Sequence, residues 1–218
     1  MKETDMYTVT SLSVQARNRD RVNVSIDGKY CFSLDISQVV DLGVKVGKRL
    51  SDEALQELQE EGQFGKLYGR ALEYALRRPH SLQEMQQYLR RKTLARRTKD
   101  GTIQKGYAPG LADRVLRVLQ QKGYVDDKSF AVWWVENRNV TKGTSTRKLI
   151  AELRAKGVAG TIIEQAIAYV ARNDSDELEK IMAKKRTKYA DEQKLIQYLV
   201  RQGFSYDDVR AKLREDNG

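Results

Sequence analysis

Basic side chains recur in pairs and short clusters along this 218-residue chain. They are Arg77 with Arg78, Arg90 with Arg91, Arg96 with Arg97, then Arg138, Lys142, Arg147 and Lys148, and finally Lys184, Lys185, Arg186 and Lys188. Guanidinium and ammonium groups donate to phosphate and carboxylate oxygens, and arginine can do so through two parallel hydrogen bonds. That chemistry recognises anions; it does not make or break bonds. The excess is also local: residues 66–122 hold 14 Lys and Arg against 4 Asp and Glu, a net of +10 that equals the formal charge of the whole chain. Such a field implies a polyanionic partner, nucleic acid or an assembly built on it.

Residues suited to catalysis are scarce. The single histidine, His80, follows Pro79 and reads as a solvated loop residue, and the single cysteine, Cys31, sits between Tyr30 and Phe32 as a strand residue with no disulfide partner. Gly-Lys pairs begin at Gly28, Gly47 and Gly65, but none is followed by the Ser or Thr of a phosphate-binding loop. Asp126, Asp127 and Glu152 are explained by capping and solvation. The expectation is a protein that is not an enzyme and needs no metal or cofactor.

A sequence-specific DNA reader is the second possibility, because helix, Gly157 turn, helix has the order of a helix-turn-helix. Its recognition helix would run from Thr161 to Ala171 with one charge, Glu164, and the equivalent later helix opens on Tyr206, Asp207 and Asp208. Neither suits phosphates or base edges. These helices read as packing elements.

The elements that must position the cations fall into two classes. Residues 7–34 read as strands, with Thr8, Thr10, Leu12 and Val14 on one face, and Val22, Val24 and Ile26 paired with Tyr30, Phe32 and Leu34 across a three-residue loop through Lys29. A short helix from Asp35 to Leu42 follows. Ser51 then caps a helix, and from about residue 52 the period changes to 3.6, with no further strand pair expected.

Lys148–Gly157 (KLIAELRAKG) matches Lys194–Gly203 (KLIQYLVRQG) at an offset of 46, and Ile163 and Ile167 correspond to Val209 and Leu213. A weaker upstream copy aligns Met85, Leu89 and Lys92 with Leu149, Leu153 and Lys156, after a capping box at Ser81–Glu84. A further helix precedes each copy: Lys66–Leu76, Ser129–Asn139 and Asp176–Lys188. Between them Gly123-Tyr124-Val125 closes one helix and Asp126 or Asp127 caps the next, which carries Phe130, Trp133 and Trp134, with one tryptophan in the core and one near the surface, or, more commonly for such a pair, both packed in the core. The insertion of residues 93–107, with Arg96, Arg97, Lys99 and Lys105, is expected to be mobile without an anionic partner.

The fold class is therefore mostly α, with three tandem three-helix repeats in an elongated curved array and a small N-terminal β-strand region. The expected boundaries are 1–50 for the strand region, 51–64 for a linker helix, 65–125 for the first repeat with its basic insertion, 126–173 for the second and 174–218 for the third. With 40% hydrophobic and 32% charged residues the chain has the composition of a soluble folded protein. No apolar run approaches a membrane span, and MKETDMYTVTSLSV lacks a secretory apolar core, so a cytoplasmic protein is expected.

The joint GYVDDKSFA, the following KLIAELRAKGV and the closing KLIQYLVRQGFSYDDVRAKL together resemble the RecX family of regulatory proteins, modulators of the recombinase RecA. The resemblance covers about residues 65–215, and the strand region lies outside it. It implies a cytoplasmic, non-enzymatic monomer that lodges in the groove of the RecA filament on DNA, bridges protomers, and restrains filament growth and ATP hydrolysis. Recombination, DNA repair and the SOS response would be modulated in consequence. The alternative is a nonspecific DNA-binding protein acting without a recombinase. On either reading the basic pairs and clusters named above form the face for the partner.

Overall fold

The computed structural model describes residues 6–189 and 191–215. The chain is mostly helical, with ten helices and six short strands among the described residues. Its elements sort into two compact units: residues up to Arg77 together with Gln87–Lys122, and Arg78–Gln86 together with the chain from Gly123 onward.

The first unit begins with β1 (Tyr7–Val14), β2 (Arg21–Ile26), β3 (Lys29–Asp35), α1 (Ile36–Asp41) and β4 (Arg49–Leu50), the strands lying antiparallel in the order β3-β2-β1-β4. Val9, Val24, Phe32, Leu34, Val44 and Leu50 form its buried core. Two registers differ from expectation. Asp27 and Gly28 have φ of 48° and 80°, so the β2–β3 turn is a two-residue loop and Ile26 opposes Lys29. A bulge at Cys31 then restores the expected pairs Val24 with Phe32 and Val22 with Leu34, while Tyr30 is left exposed. A second bulge, at Thr10, turns Val9 rather than Thr8 and Thr10 into the core and leaves Val14 outside.

Helix α2 (Asp52–Leu76) starts at the expected cap, where Ser51 accepts from the Ala54 N–H. It runs through Gly65 unbroken, so the linker helix and the first repeat helix are one element. Gly62 and Gly65 let it lie on β3: a Cβ at Gly62 would stand 2.6 Å from the Ser33 carbonyl oxygen, and one at Gly65 2.6 Å from Asp35 Oδ2. Buried Arg21 bolts the contact by donating to Asp35 (2.7 Å), Ser33 O (2.8 Å) and Gly62 O (3.3 Å).

Helix α3 (Leu82–Thr93) contributes Gln87–Thr93 to this unit, followed by β5 (Arg96–Arg97), β6 (Ile103–Gln104) and α4 (Pro109–Gln121). The inserted segment is thus a β-hairpin, a strand pair that helical periodicity did not suggest. Its loop is closed by Gly101 at φ 85° and by Thr98 and Thr102, which both donate to Asp100. At its base the Tyr107 N–H donates to Lys92 O at 3.0 Å.

The second unit holds the start of α3 with α5 (Asp127–Asn137), α6 (Thr146–Ala155), α7 (Gly160–Val170), α8 (Asp174–Lys185), α9 (Glu192–Arg201) and α10 (Tyr206–Glu215). The offset-46 pattern is literal in space. Leu149, Leu153, Val158 and Ile163 occupy one core as Leu195, Leu199, Phe204 and Val209 occupy the next, and the turns at Gly157 and Gly203 have φ of 79° and 99°. Asp126 caps α5 by accepting from the Ser129 N–H at 2.8 Å, whereas Asp127 reaches back to accept from the Leu82 N–H at the start of α3. Ser81 caps α3 through the Glu84 N–H, but the Glu84 side chain serves other partners. His80 is buried there beside Glu84, 3.1 Å away, and is not a solvated loop residue.

Candidate functional site

In the first unit α2, the end of α3 and the hairpin enclose a hollow of about 380 Å³. Arg70, Tyr74 and Arg77 line it from one face of α2, at the i, i+4, i+7 spacing of a helix stripe, and Tyr88, Arg91 and Lys92 from one face of α3. The hairpin and its base add Arg96, Gln104, Lys105 and Tyr107. Six cationic groups line the hollow, and no carboxylate does.

Neutral partners orient these cations. Arg96 donates twice to Gln104 Oε1 (2.9 and 2.8 Å), Arg70 to the Tyr107 hydroxyl (3.4 Å) and Arg91 to Gln87 O (3.3 Å). The Lys92 ammonium lies 4.9 Å from the centre of the Tyr88 ring, which stacks on Tyr74 at 4.2 Å and 5°. Tyr88 in turn donates to the Arg70 carbonyl at 3.1 Å. Burial, then the closeness of Arg70, Arg96 and Arg91, hold Lys92 below the usual lysine range. Burial pushes the Tyr88 hydroxyl up, so it stays a protonated donor. None of the six cations is ion-paired among the described residues, and Arg77, Arg91, Arg96 and Lys105 are exposed, so the hollow presents positive charge to solvent.

The second unit treats its cations differently. Arg78 and Lys156 both bind Glu84 (3.0 and 2.5 Å), Arg138 grips Glu152 with two hydrogen bonds (2.8 and 3.0 Å), and Arg172 and Lys180 hold buried Glu177. Burial alone would raise these three carboxyls, but the cations outweigh it and lower all of them, Glu84 to about 2. Both tryptophans are half-buried against Phe130, with Arg78 over Trp133 at 5.3 Å and Lys156 over Trp134 at 4.5 Å. The division into one core and one surface tryptophan is not found.

Of the residues expected to face a partner, Arg77, Arg91 and Arg96 converge on the hollow. Arg90 and Arg97 are exposed in the same unit, and Arg97 donates to Gly101 O at 3.4 Å. In the second unit Lys142, Arg147, Arg186 and Lys188 are exposed, Lys184 donates to Thr141 O, and Lys185 lies 5.6 Å from the Tyr198 ring. Arg78 and Arg138 are tied to carboxylates, and Lys148 donates to Gln202 Oε1 at 2.6 Å. Sequence reasoning passed over Arg70, Lys92 and Lys105 as site residues, together with Tyr74, Tyr88 and Tyr107. The helix-stripe spacing was the signal that could have found the first two.

Among the described residues no helix is long and apolar enough to cross a membrane, and no three His, Cys, Asp or Glu gather as a metal site.

Three family models match the chain: "Regulatory protein RecX N-terminal domain" over residues 7–51, "RecX, second three-helix domain" over 126–167 and "RecX, third three-helix domain" over 176–213. The first match places the strand region inside the resemblance, where sequence motifs had left it outside. Regulatory protein RecX of Bacillus licheniformis is 31% identical over 96% of this chain and 78% of its own, and that of Bacillus subtilis 29% over 95% and 76%. A crystal structure of a regulatory protein RecX shares the fold with a TM-score of 0.70 at 20% identity, covering 94% of this chain and 97% of the other.

Proposed function

Because the chain belongs to the RecX family of regulatory proteins, we propose that it binds the RecA filament on DNA and restrains filament extension and ATP hydrolysis. It acts as a cytoplasmic monomer and performs no chemistry of its own. The observation that carries this reading, beside the family, is the contrast between the units. Five cations of the second unit, Arg78, Lys156, Arg138, Arg172 and Lys180, are bound to Glu84, Glu152 and Glu177, whereas the six that line the hollow of the first have no carboxylate among them. Uncompensated charge held in place costs stability in the free protein and is recovered against a polyanion, and a filament on DNA presents phosphate and acidic protein together.

Within this reading Arg77, Arg90, Arg91, Arg96 and Arg97 meet the partner from the first unit. Lys142, Arg147, Lys184, Lys185, Arg186 and Lys188 do so from the second. Arg78, Arg138 and Lys148 serve mainly to hold the fold.

The test is to titrate the protein into RecA assembled on single-stranded DNA and to follow ATP hydrolysis beside binding to naked DNA. Hydrolysis should fall as the protein saturates the filament. Unchanged hydrolysis with tight binding to naked DNA would instead establish a DNA-binding protein that acts without a recombinase.

A further inference from the structure

We infer that the hollow of the first unit is a discrete binding site for closely spaced phosphoryl groups. The inference deepens the proposed function, since it rests on the first unit's cations meeting the filament on DNA, and it names the chemistry and the residues that the family does not.

Four guanidinium groups, from Arg70, Arg77, Arg91 and Arg96, and two ammonium groups, from Lys92 and Lys105, border about 380 Å³. That volume lies in the range of small-ligand sites, roughly 300–1,000 Å³. A peptide is a poor match. Side chains on one face of an extended strand recur about every 6–7 Å, so acidic residues bring too few charges into such a space. Adjacent phosphoryl groups concentrate several charges there, and each offers oxygens in the plane that a guanidinium fork fits. Tyr107 adds a hydroxyl group to a lining that contains donors but no carboxylate, the Tyr88 hydroxyl being spent on the Arg70 carbonyl.

The construction of the wall supports a built site. Gly106 lets the base of the hairpin close tightly, a Cβ there falling 2.0 Å from the Thr93 carbonyl oxygen. Arg96 and Lys105 thereby line the same space as Arg70 and Arg77. Lys92 is held against the Tyr88 ring although burial and three arginines disfavour its charge. Two sources share the required chemistry, the phosphates of a nucleic-acid strand and the phosphate tail of a free nucleotide.

Calorimetric titration of the full chain with inorganic pyrophosphate, with adenosine triphosphate and with a short oligodeoxythymidylate tests the inference and separates the sources. Pyrophosphate should bind saturably, one per chain, and Lys92→Met or Lys105→Met should weaken it at least tenfold. Lys45→Met, on an exposed loop, should leave binding unchanged. Lys105 is exposed, so its variant carries the result if Lys92→Met folds poorly. Displacement of pyrophosphate by the oligonucleotide assigns the site to a strand, and displacement by adenosine triphosphate alone assigns it to a nucleotide. Absence of saturable binding, or equal binding by wild type and both lysine variants, overturns the inference. The same variants assayed on the RecA filament keep the two proposals apart. Loss of the site with restraint intact leaves the regulator standing, and an intact site without restraint removes the regulator alone.

Discussion

Lys156 donates to Glu84 across 2.5 Å, joining the end of α6 to α3 although 72 residues separate them in the chain. Arg78 binds the same carboxylate, His80 lies beside it, and both tryptophans rest on the participating cations. Burial works against the charge of Glu84, but Arg78 and Lys156 hold its carboxyl at about 2 instead of 4.5. A carboxyl whose folded value is depressed stabilises the fold fully above its ordinary value and loses that contribution as pH falls toward the folded one. Stability should therefore decline between about pH 4.5 and pH 2. Tryptophan fluorescence during acid titration should report the change. Glu84→Gln should flatten the slope and cost about 2 kcal/mol at neutral pH, after allowance for solvent screening. An unaltered slope would show that the cluster does not govern acid stability.

Lys92 makes the opposite case. Its ordinary charge is disfavoured in the folded hollow by burial and by Arg70, Arg96 and Arg91, so stability should rise with pH as this lysine loses its proton, and rise with salt as the repulsion is screened. Lys92→Met should raise Tm by roughly 1–2 °C at low salt, a small effect because the groups keep contact with water. It should also reduce the dependence of Tm on salt. A variant that melts lower at every salt concentration would mean that the aliphatic stem and its tyrosine contact matter more than the charge.

The distribution of legible and illegible features follows from the range of the interactions involved. Local signals read correctly: Ser51 as a cap, Asp126 as one of the two caps offered with Asp127, the glycine turns, and the spacing of 46 that places Leu149 and Leu195 in equivalent cores. The strand registers read correctly only in part: Val24 with Phe32 and Val22 with Leu34 stand as expected, but the two-residue turn with its compensating bulge at Cys31 and the inserted residue at Thr10 shift the pairing near Tyr30 and the inward face of β1 without altering composition. His80 was misplaced because its burial depends on Glu84, itself fixed by Lys156 far along the chain. For the hollow, charge counting found the basic segment but not its shape. Arg70 and Arg96 share one space only after α2, α3 and the hairpin have packed.

The joint between the last two three-helix groups makes a discriminating test of packing. Gly143 has φ 80°, and a Cβ there would lie 2.4 Å from the Glu177 carbonyl oxygen, a backbone atom that cannot give way. Gly157 has nearly the same φ of 79°, but its Cβ would meet only the Gln83 side chain at 3.0 Å. Gly157→Ala should cost about 1–2 kcal/mol from the left-handed backbone. Gly143→Ala should cost about 3 kcal/mol or more because a steric clash is added. Chemical denaturation of the two variants measures the difference, and equal losses would show that φ alone decides both.

The exposed residues of α6 separate binding from folding most cleanly. Arg147 is exposed and has no ion-pair partner among the described residues, so Arg147→Glu should change stability by no more than about 0.5 kcal/mol. Lys148, one residue later, donates to Gln202 Oε1 at 2.6 Å and stands four residues before Glu152. Lys148→Glu removes that bond and sets two carboxylates at helical i, i+4 spacing, which should cost about 1–2 kcal/mol. If the second unit meets an acidic or phosphate surface, Arg147→Glu turns attraction into repulsion and should weaken restraint of the RecA filament while Tm stays near wild type. Its effect should also shrink as salt rises. Lys148→Glu should instead lose activity and Tm together. An Arg147→Glu variant that restrains the filament at wild-type concentrations would assign that arginine to solvent and leave contact with the filament to the rest of the molecule.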